Sequence, residues 1–318
     1  MYTVIRLMKK WTLPMAMAVG IFVYFMFSNC EVLYRLKPFV RSFVGMIMPI
    51  LIFIQLLLAF CKIEPKELKL KKWHAWLLLI QLVACLLLAS LIVSADFNDT
   101  YTEVFEGIMV CLICPTATAA TIITARLGGN AASITTYTLL SNMMVAIVVP
   151  VVFPLIEPHE HLSFVEASLG ILAKVLPLLL SPFVISLVLR RFFPSLHTLL
   201  SSMSGMAFYV WAFALAIVCG QTAHSIANSS ASYYVQSLIA LGSLLSCLLQ
   251  FFTGKRIGSV YGDRISVGQA LGQKNTVLAI WMAYTYLNPM SSLAPGTYVL
   301  WQNIINSWQL WRMEKNAK

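Results

Sequence analysis

Apolar residues in this chain come in runs of about 20, the length of a helix that crosses ~30 Å of hydrocarbon. Ten such runs can be drawn, at residues 11–27, 43–61, 76–95, 105–125, 131–155, 165–189, 199–219, 234–252, 267–287 and 297–311. Short polar connections separate them, and little chain is left over for a separate soluble domain. The pattern predicts an all-α membrane protein with ten transmembrane helices, residues 1–318 forming a single unit.

Two of the runs contain residues that do not belong in a continuous membrane helix. Cys114-Pro115-Thr116 interrupts the fourth run, and Gly272-Gln273-Lys274-Asn275 interrupts the ninth. Pro115 lacks an N–H and disrupts the turn before it, and Gly272 weakens its own helix. Pro115 and Lys274 are 159 residues apart, half the 318-residue chain, so each break falls in the fourth run of a five-run half. With five spans per half, the second repeat faces the opposite way across the membrane. We therefore expect two inverted five-helix repeats, about 1–158 and 159–318, with discontinuous helices four and nine at the substrate site of a secondary transporter. Backbone groups freed at such breaks need partners inside protein or beside a wet cavity. The half-helix ends can then bind ions or polar groups through their dipoles.

Composition agrees: 59% of residues are hydrophobic and 11% charged, against about 25% charged in a soluble domain. The net charge of +10 is a topology signal. With the N-terminus placed beside Arg6, Lys9 and Lys10 on the cytoplasmic side, 17 of the 22 basic residues fall at that face. They include Lys62, Lys66, Lys69, Lys71 and Lys72, then Arg190 and Arg191, then Lys255, Arg256 and Arg264. The opposite loops carry Asp96, Asp99, Glu103, Glu157 and Glu160. The positive-inside rule then puts both termini in the cytoplasm. The stretch from Lys62 to Lys72 reads as an anchor on anionic headgroups, so membrane lipid is the expected partner of the basic excess and nucleic acid is not. The first run is too long for a signal-peptide core, has no small-x-small cleavage site after it, and reads as an uncleaved helix.

Polar side chains gather near the breaks. Thr118, Thr121 and Thr124 recur every three residues after Pro115. Thr135, Thr138 and Asn142 share a face of the fifth run, with Ser141 beside them, and Gln302, Asn303 and Asn306 lie along the tenth. Such residues also join membrane helices at modest energy, about 0.6 kcal/mol each. Lys274 is harder to assign to packing, because a cation at the bilayer centre costs ~2.5–3.5 kcal/mol or more and usually marks a pathway or site. Lys174, beside Pro177, can snorkel to the surface.

All twelve acidic residues fall in loops or at run edges, Glu106 and Glu166 being nearest the membrane. We therefore expect no deep carboxylate, and no sodium or proton site built on Asp or Glu at the midplane. Cys111 and Cys114 have CxxC spacing, but no second pair and no intramembrane histidine accompany them, so they read as packing residues. No metal, cofactor or catalytic residue is expected. The triplet His159-Glu160-His161 reads as loop, and Asn98-Asp-Thr100 and Asn228-Ser-Ser230 fit the glycosylation pattern.

At the two breaks the chain resembles the bile acid:sodium symporter family. The resemblance rests on Gly107 to Pro115, on Thr124-Ala-Arg-Leu-Gly-Gly-Asn130 with Pro150, on Gly268-Gln-Ala-Leu-Gly272-Gln-Lys-Asn275 followed by Leu278-Ala279, and on Trp301-Gln-Asn303. It implies a core domain holding crossed helices four and nine, a panel domain of helices one, two, six and seven, and an organic anion as substrate, usually moved with sodium. The family's sodium ligands do not carry over. After the proline the family has Gly-Gly and then Ser-Asn, where this chain has Thr116-Ala117 and then Ala120-Thr121. The sodium-binding glutamate of helix nine is replaced by Ala270 and a neighbouring glutamine by Lys274. A serine ligand in helix five is replaced by Ile134, while Thr138 and Asn275 survive. Losing a carboxylate and gaining a cation disfavours a bound sodium on Coulomb grounds.

The expectation is a secondary transporter of a small organic anion, working by alternating access in a bacterial inner membrane. Lys274 takes the place of sodium, and Thr118, Thr121, Gln273, Lys274, Asn275, Gln302 and Asn303 line the substrate site. Lys274 and Thr138 are the ion-coupling candidates; release of the lysine proton during the cycle would couple transport to protons. The alternatives are a sodium symporter that holds its ion by backbone carbonyls and Thr138, a cation/proton antiporter, a membrane-embedded enzyme, and a non-transporting sensor.

Overall fold

A computed structural model describes residues 2–30, 36–95, 97, 99–158, 161–228 and 231–316. His159 and Glu160 of the loop triplet, Asn98 of the first glycosylation pattern and Ser229-Ser230 of the second lie outside these residues.

The described chain is helical, with no strand beyond one isolated bridge. In chain order the helices are α1 (Tyr2–Asn29), α2 (Lys37–Cys61), α3 (Lys72–Ser94), α4 (Asp99–Ile113), α5 (Ala119–Arg126), α6 (Ala131–Ile156) and α7 (Phe164–Phe192). They continue with α8 (Pro194–Ser202), α9 (Ser204–Asn228), α10 (Tyr233–Val260), α11 (Arg264–Gly272), α12 (Thr276–Tyr286) and α13 (Leu293–Asn316). The fourth run is thus split into α4 and α5, and the ninth into α11 and α12, at the residues that break the apolar pattern.

Local chemistry explains several ends. Asn130 caps α6 by accepting from the Ser133 N–H at 2.9 Å, and Ser232 caps α10 by accepting from the Val235 N–H. Each satisfies a donor that the first helical turn leaves without an intrahelical partner. The cap of α6 is further tied across the chain, because the Asn130 N–H donates to Ser266 Oγ at 2.8 Å.

Among the described residues, six helices are long and apolar enough to cross a membrane: Pro38–Cys61, Lys72–Ser94, Ala131–Ile156, Phe164–Phe192, Tyr209–Asn228 and Tyr233–Val260. Their outer faces are apolar too. Leu87 is 66% exposed, Val93 and Ile147 each 61%, and Val165 61%. Apolar surface on this scale is a surface for lipid.

The chain divides into two compact units. One comprises Met1–Lys62 and Pro182–Ser229; the other comprises Ile63–Ser181 and Ser230–Lys318. In the first, α1 and α9 pack together, and Asn228 Nδ2 donates to the Tyr24 hydroxyl at 3.2 Å. Also there, Phe60 meets Phe183 edge to face.

The second unit holds both broken helices. Its tightest junction is between α10 and α11, where Gly254 and Gly258 lie one turn apart. A methyl at Gly254 would sit 2.6 Å from the Val267 carbonyl oxygen and 3.0 Å from Gly268 Cα. At Gly258 it would sit 2.7 Å from both Arg264 Cα and the Asp263 oxygen. These neighbours are backbone, which cannot rotate away, so the small residues let two helix axes approach as in other membrane helix pairs. Gly254→Val is therefore expected to lower the melting temperature by roughly 5 °C or more, read by thermal unfolding of purified protein. Ser259→Val, on an exposed position of the same helix, should leave it unchanged.

A candidate site at two crossed helix breaks

Pro115 cannot donate to a helix, and the last helical bond of α4 is Cys114 N–H to Val110 O at 3.0 Å. The carbonyls of the final turn are left without intrahelical partners, and side chains cover them. Gln250 Nε2 donates to Cys111 O at 3.2 Å, and Gln81 Nε2 donates to Leu112 O at 3.0 Å and to Cys114 O at 3.3 Å. Lys274 Nζ also donates to Leu112 O, at 3.0 Å. A cation here faces the negative end of the α4 dipole.

The second break is built in the same way. Gln273 N–H donates to Gln269 O as α11 ends, and the Tyr298 hydroxyl donates to Gly272 O at 2.8 Å. Thr116 Oγ1 reaches across to donate to Ala270 O at 2.6 Å. Helix α12 then restarts with Asn275 as its cap, its Oδ1 accepting from the Leu278 N–H.

Between the breaks the two extended segments cross as a minimal antiparallel ladder. Ala117 N–H donates to Gln273 O at 3.0 Å, and Asn275 N–H donates to Pro115 O at 2.8 Å, with Thr116 opposite Lys274. The two central N–H groups point outward and find side chains: Thr116 N–H donates to Ser141 Oγ at 3.2 Å, and Lys274 N–H donates to Gln302 Oε1 at 2.9 Å. Every partner named here is buried, so these bonds are made without competition from water, and an unmade one would cost the full desolvation of its group.

The structure thus brings Gln273, Lys274, Asn275 and Gln302 into one cluster. Thr138 joins it indirectly: Ser141 Oγ accepts from Thr116 and donates to Thr138 O, while Thr138 Oγ1 donates to Ile134 O within its own helix. Thr118 stands two residues past the ladder at the start of α5, and Thr121 is half-buried one turn on. Asn303 is set apart from Gln302, since its Nδ2 donates to Val299 O along its own helix at 2.7 Å.

Lys274 is 1% exposed and among the largest fully buried side chains. The thiols of Cys111, Cys114 and Cys247 surround it, and no carboxylate pairs with it; the ion pair seen among the described residues is Lys71–Asp263. In this conformation its ammonium is committed to Leu112 O. Several buried polar atoms around the ladder have no hydrogen-bond partner among the described residues: Gln273 Oε1, Gln269 Oε1, Thr276 Oγ1, Asn306 Nδ2 and both side-chain polar atoms of Asn142. Groups so buried are normally satisfied, which marks them as candidates for substrate or water.

Glu106, at the edge of its apolar run, is buried, at 0% exposed. It lies seven residues into α4, about 10 Å along the axis. It accepts a hydrogen bond from Ser291 Oγ, and the Glu157 carboxyl lies within hydrogen-bonding reach. The 3-10 turn Pro289–Ser292 folds over the start of α4 and encloses it.

Ala270, Ile134 and Ala120 stand where the resemblance would place sodium ligands. In the structure all three belong to one buried apolar cluster with Trp73, Leu77, Tyr137, Val267 and Leu271. The Tyr137 hydroxyl leaves this cluster to donate to Gln81 Oε1. Gln81, Gln250 and Tyr298 were not singled out from the sequence, though Gln81 and Gln250 are isolated amides within otherwise apolar runs.

A helical protein with lipid-facing flanks, whose two broken helices cross around a buried cation, has the build of an integral membrane transporter. Comparison with known proteins gives the family: the sodium bile acid symporter family matches residues 48–229, and the chain belongs to it. A Bacillus subtilis (strain 168) protein named as an uncharacterized sodium-dependent transporter, YocS, is 24% identical over 211 residues, which are 64% of this chain and 63% of that one. The chain thus matches a little under two thirds of that relative's length.

Proposed function

We propose that the protein is a secondary transporter of a small organic anion, working by alternating access, in which Lys274 takes the structural place of sodium. The observation that carries the reading is the Lys274 Nζ bond to Leu112 O at the end of α4, beside an apolar cluster at the former ligand positions. A fixed cation there does what a bound ion would do. It neutralises the negative end of one half-helix and ties it to the segment that starts the other. Its charge has no carboxylate partner among the described residues, which leaves a net positive site for an anion. Gln273, Asn275 and Gln302 would contact substrate from the ladder, and Thr118, Thr121 and Asn303 from its flanks.

The ten-span inverted plan belongs to the same proposal. Matching breaks in α4/α5 and α11/α12 support it, as does the division of the chain into two units. We read the unit holding both breaks as the core and the other as the panel, with both termini in the cytoplasm of a bacterial cell.

A sodium-coupled reading draws on the family and on the name of the Bacillus relative; the unpartnered oxygens of Gln273, Gln269 and Thr276 favour it locally. Thermal stabilisation of purified protein separates the two. Organic carboxylates and sulfonates are expected to raise the melting temperature equally in sodium chloride and choline chloride. Stabilisation that requires sodium would overturn the replacement of the ion by Lys274 and leave the family assignment standing.

A further inference from the structure

Away from the crossing, cations collect where α10 and α13 end and α11 begins. Phe252, Lys255, Arg256, Ser259 and Arg264 line a pocket of about 220 Å³, and both Arg264 and, from α13, Arg312 lie close enough to Lys255 for their charges to interact with it. The acids nearby do not neutralise them. Asp263 is held by Lys71 at 3.0 Å, and Glu314 forms no ion pair among the described residues. Three like charges on one pocket, with a fourth close by, are repulsive unless an anion joins them.

A second, larger hollow of about 540 Å³ shares Arg256 and Ser259 with the first and extends over Ile257 and Val260. Val260 is 80% exposed and ends a helix long and apolar enough to span the membrane. The surroundings are those of a membrane boundary. The Arg256 guanidinium lies 4.9 Å over the Phe252 ring, Arg312 lies 5.5 Å over Trp308 and Lys315 lies 5.4 Å over Trp311. Aromatic rings and basic side chains together are the usual furniture of the headgroup level.

We infer that this place is a binding site for the phosphate of an anionic phospholipid, with the headgroup in the cationic pocket and an acyl chain along Ile257 and Val260. The two hollows distinguish this occupant from a soluble phosphate compound, which would use the first and have no use for the second. Arg256 and Arg264 offer planar forks suited to phosphate oxygens, and Lys255 adds a charge from deeper in the pocket. The Arg264 end of α11 adds the positive end of a helix dipole. Basic pockets between membrane helices bind such headgroups elsewhere. The site is independent of the substrate crossing, so it stands or falls separately from the transport reading.

The test is native mass spectrometry of the full chain released from detergent with equal amounts of dioleoyl-phosphatidylglycerol and dioleoyl-phosphatidylcholine. Selective retention of one phosphatidylglycerol is expected. Arg256→Gln with Arg264→Gln should weaken it about 30-fold, and Arg256→Lys, which keeps the charge, should weaken it less. A lipid-free melting curve of each variant shows whether it folds; if the double variant does not, Lys255→Gln is read in its place. Equal retention of both lipids, or retention unaffected in a folded variant, would overturn the site. Displacement of the lipid by millimolar inorganic phosphate would overturn the lipid as occupant and assign the pocket to free phosphate.

Discussion

Lys274→Ala is expected to abolish uptake into proteoliposomes and to cost the fold about 3 kcal/mol. The two losses have different origins, and a second variant separates them. The stability loss comes from volume. Lys274 is fully enclosed, and truncating it leaves a cavity between α4 and the restart at α12. The carbonyl it serves is not orphaned, because Gln81 Nε2 also donates to Leu112 O, so the penalty stays within the range for a buried large-to-small change. The loss of uptake comes from charge. Without the ammonium, the last turn of α4 keeps its negative end uncompensated, and the site has no cation to meet an anion. Lys274→Met keeps most of the volume and none of the charge. It should melt within a few degrees of the wild type and still fail to transport. A Met variant that moves substrate at the wild-type rate would make Lys274 a packing residue and end the proposal.

How much of this was legible beforehand depends on whether a feature is local. The breaks are local: a proline without its N–H and a glycine beside Gln-Lys-Asn announce themselves in any apolar run, and α4/α5 and α11/α12 part there. The helical class follows from run length in the same way. Lys274 stood out because a cation is costly in hydrocarbon, but its partner did not. Leu112 O is a backbone carbonyl 162 residues away in sequence, and backbone acceptors leave no mark in the letters. Gln81 and Gln250 were passed over for a related reason: an amide in a membrane run is ambiguous until the carbonyl it covers is known. Asn303 shows a further limit of adjacent letters. Adjacent letters, Gln302 and Asn303, turn to different sides of one helix, and only Gln302 reaches the ladder. The burial of Glu106 was not legible, because distance from a run edge measures depth along the helix, not burial. The turn Pro289–Ser292 and the end of α6 enclose it from elements more than 45 residues away in sequence.

Restoring the family's letters is expected not to restore its ion. In Ala270→Glu combined with Lys274→Gln, both helix-nine positions carry the residues usual in the family. Adding only a carboxylate and removing only a cation would favour sodium, if the rest of the site were intact. The packing around Ala270 argues that it is not. Ala270 is 0% exposed and shares its cluster with Trp73, Leu77, Ala120, Ile134 and Tyr137. A glutamate there must displace apolar side chains, at roughly 1–3 kcal/mol for overpacking, and its charge would lie among groups that cannot pair with it, which costs more. Ile134 and Ala120 offer no oxygen to complete a coordination shell. The double variant should therefore melt well below the wild type, and at the same temperature in sodium chloride as in choline chloride. A sodium-dependent rise of 5 °C or more would show that the ion site persists beneath these substitutions, and that packing at Ala270 had not closed it. The expected result, no rise, would mean that replacement of the ion is built into the packing of a whole cluster as well as into one lysine, so that reverting it would require Ala120 and Ile134 to change as well.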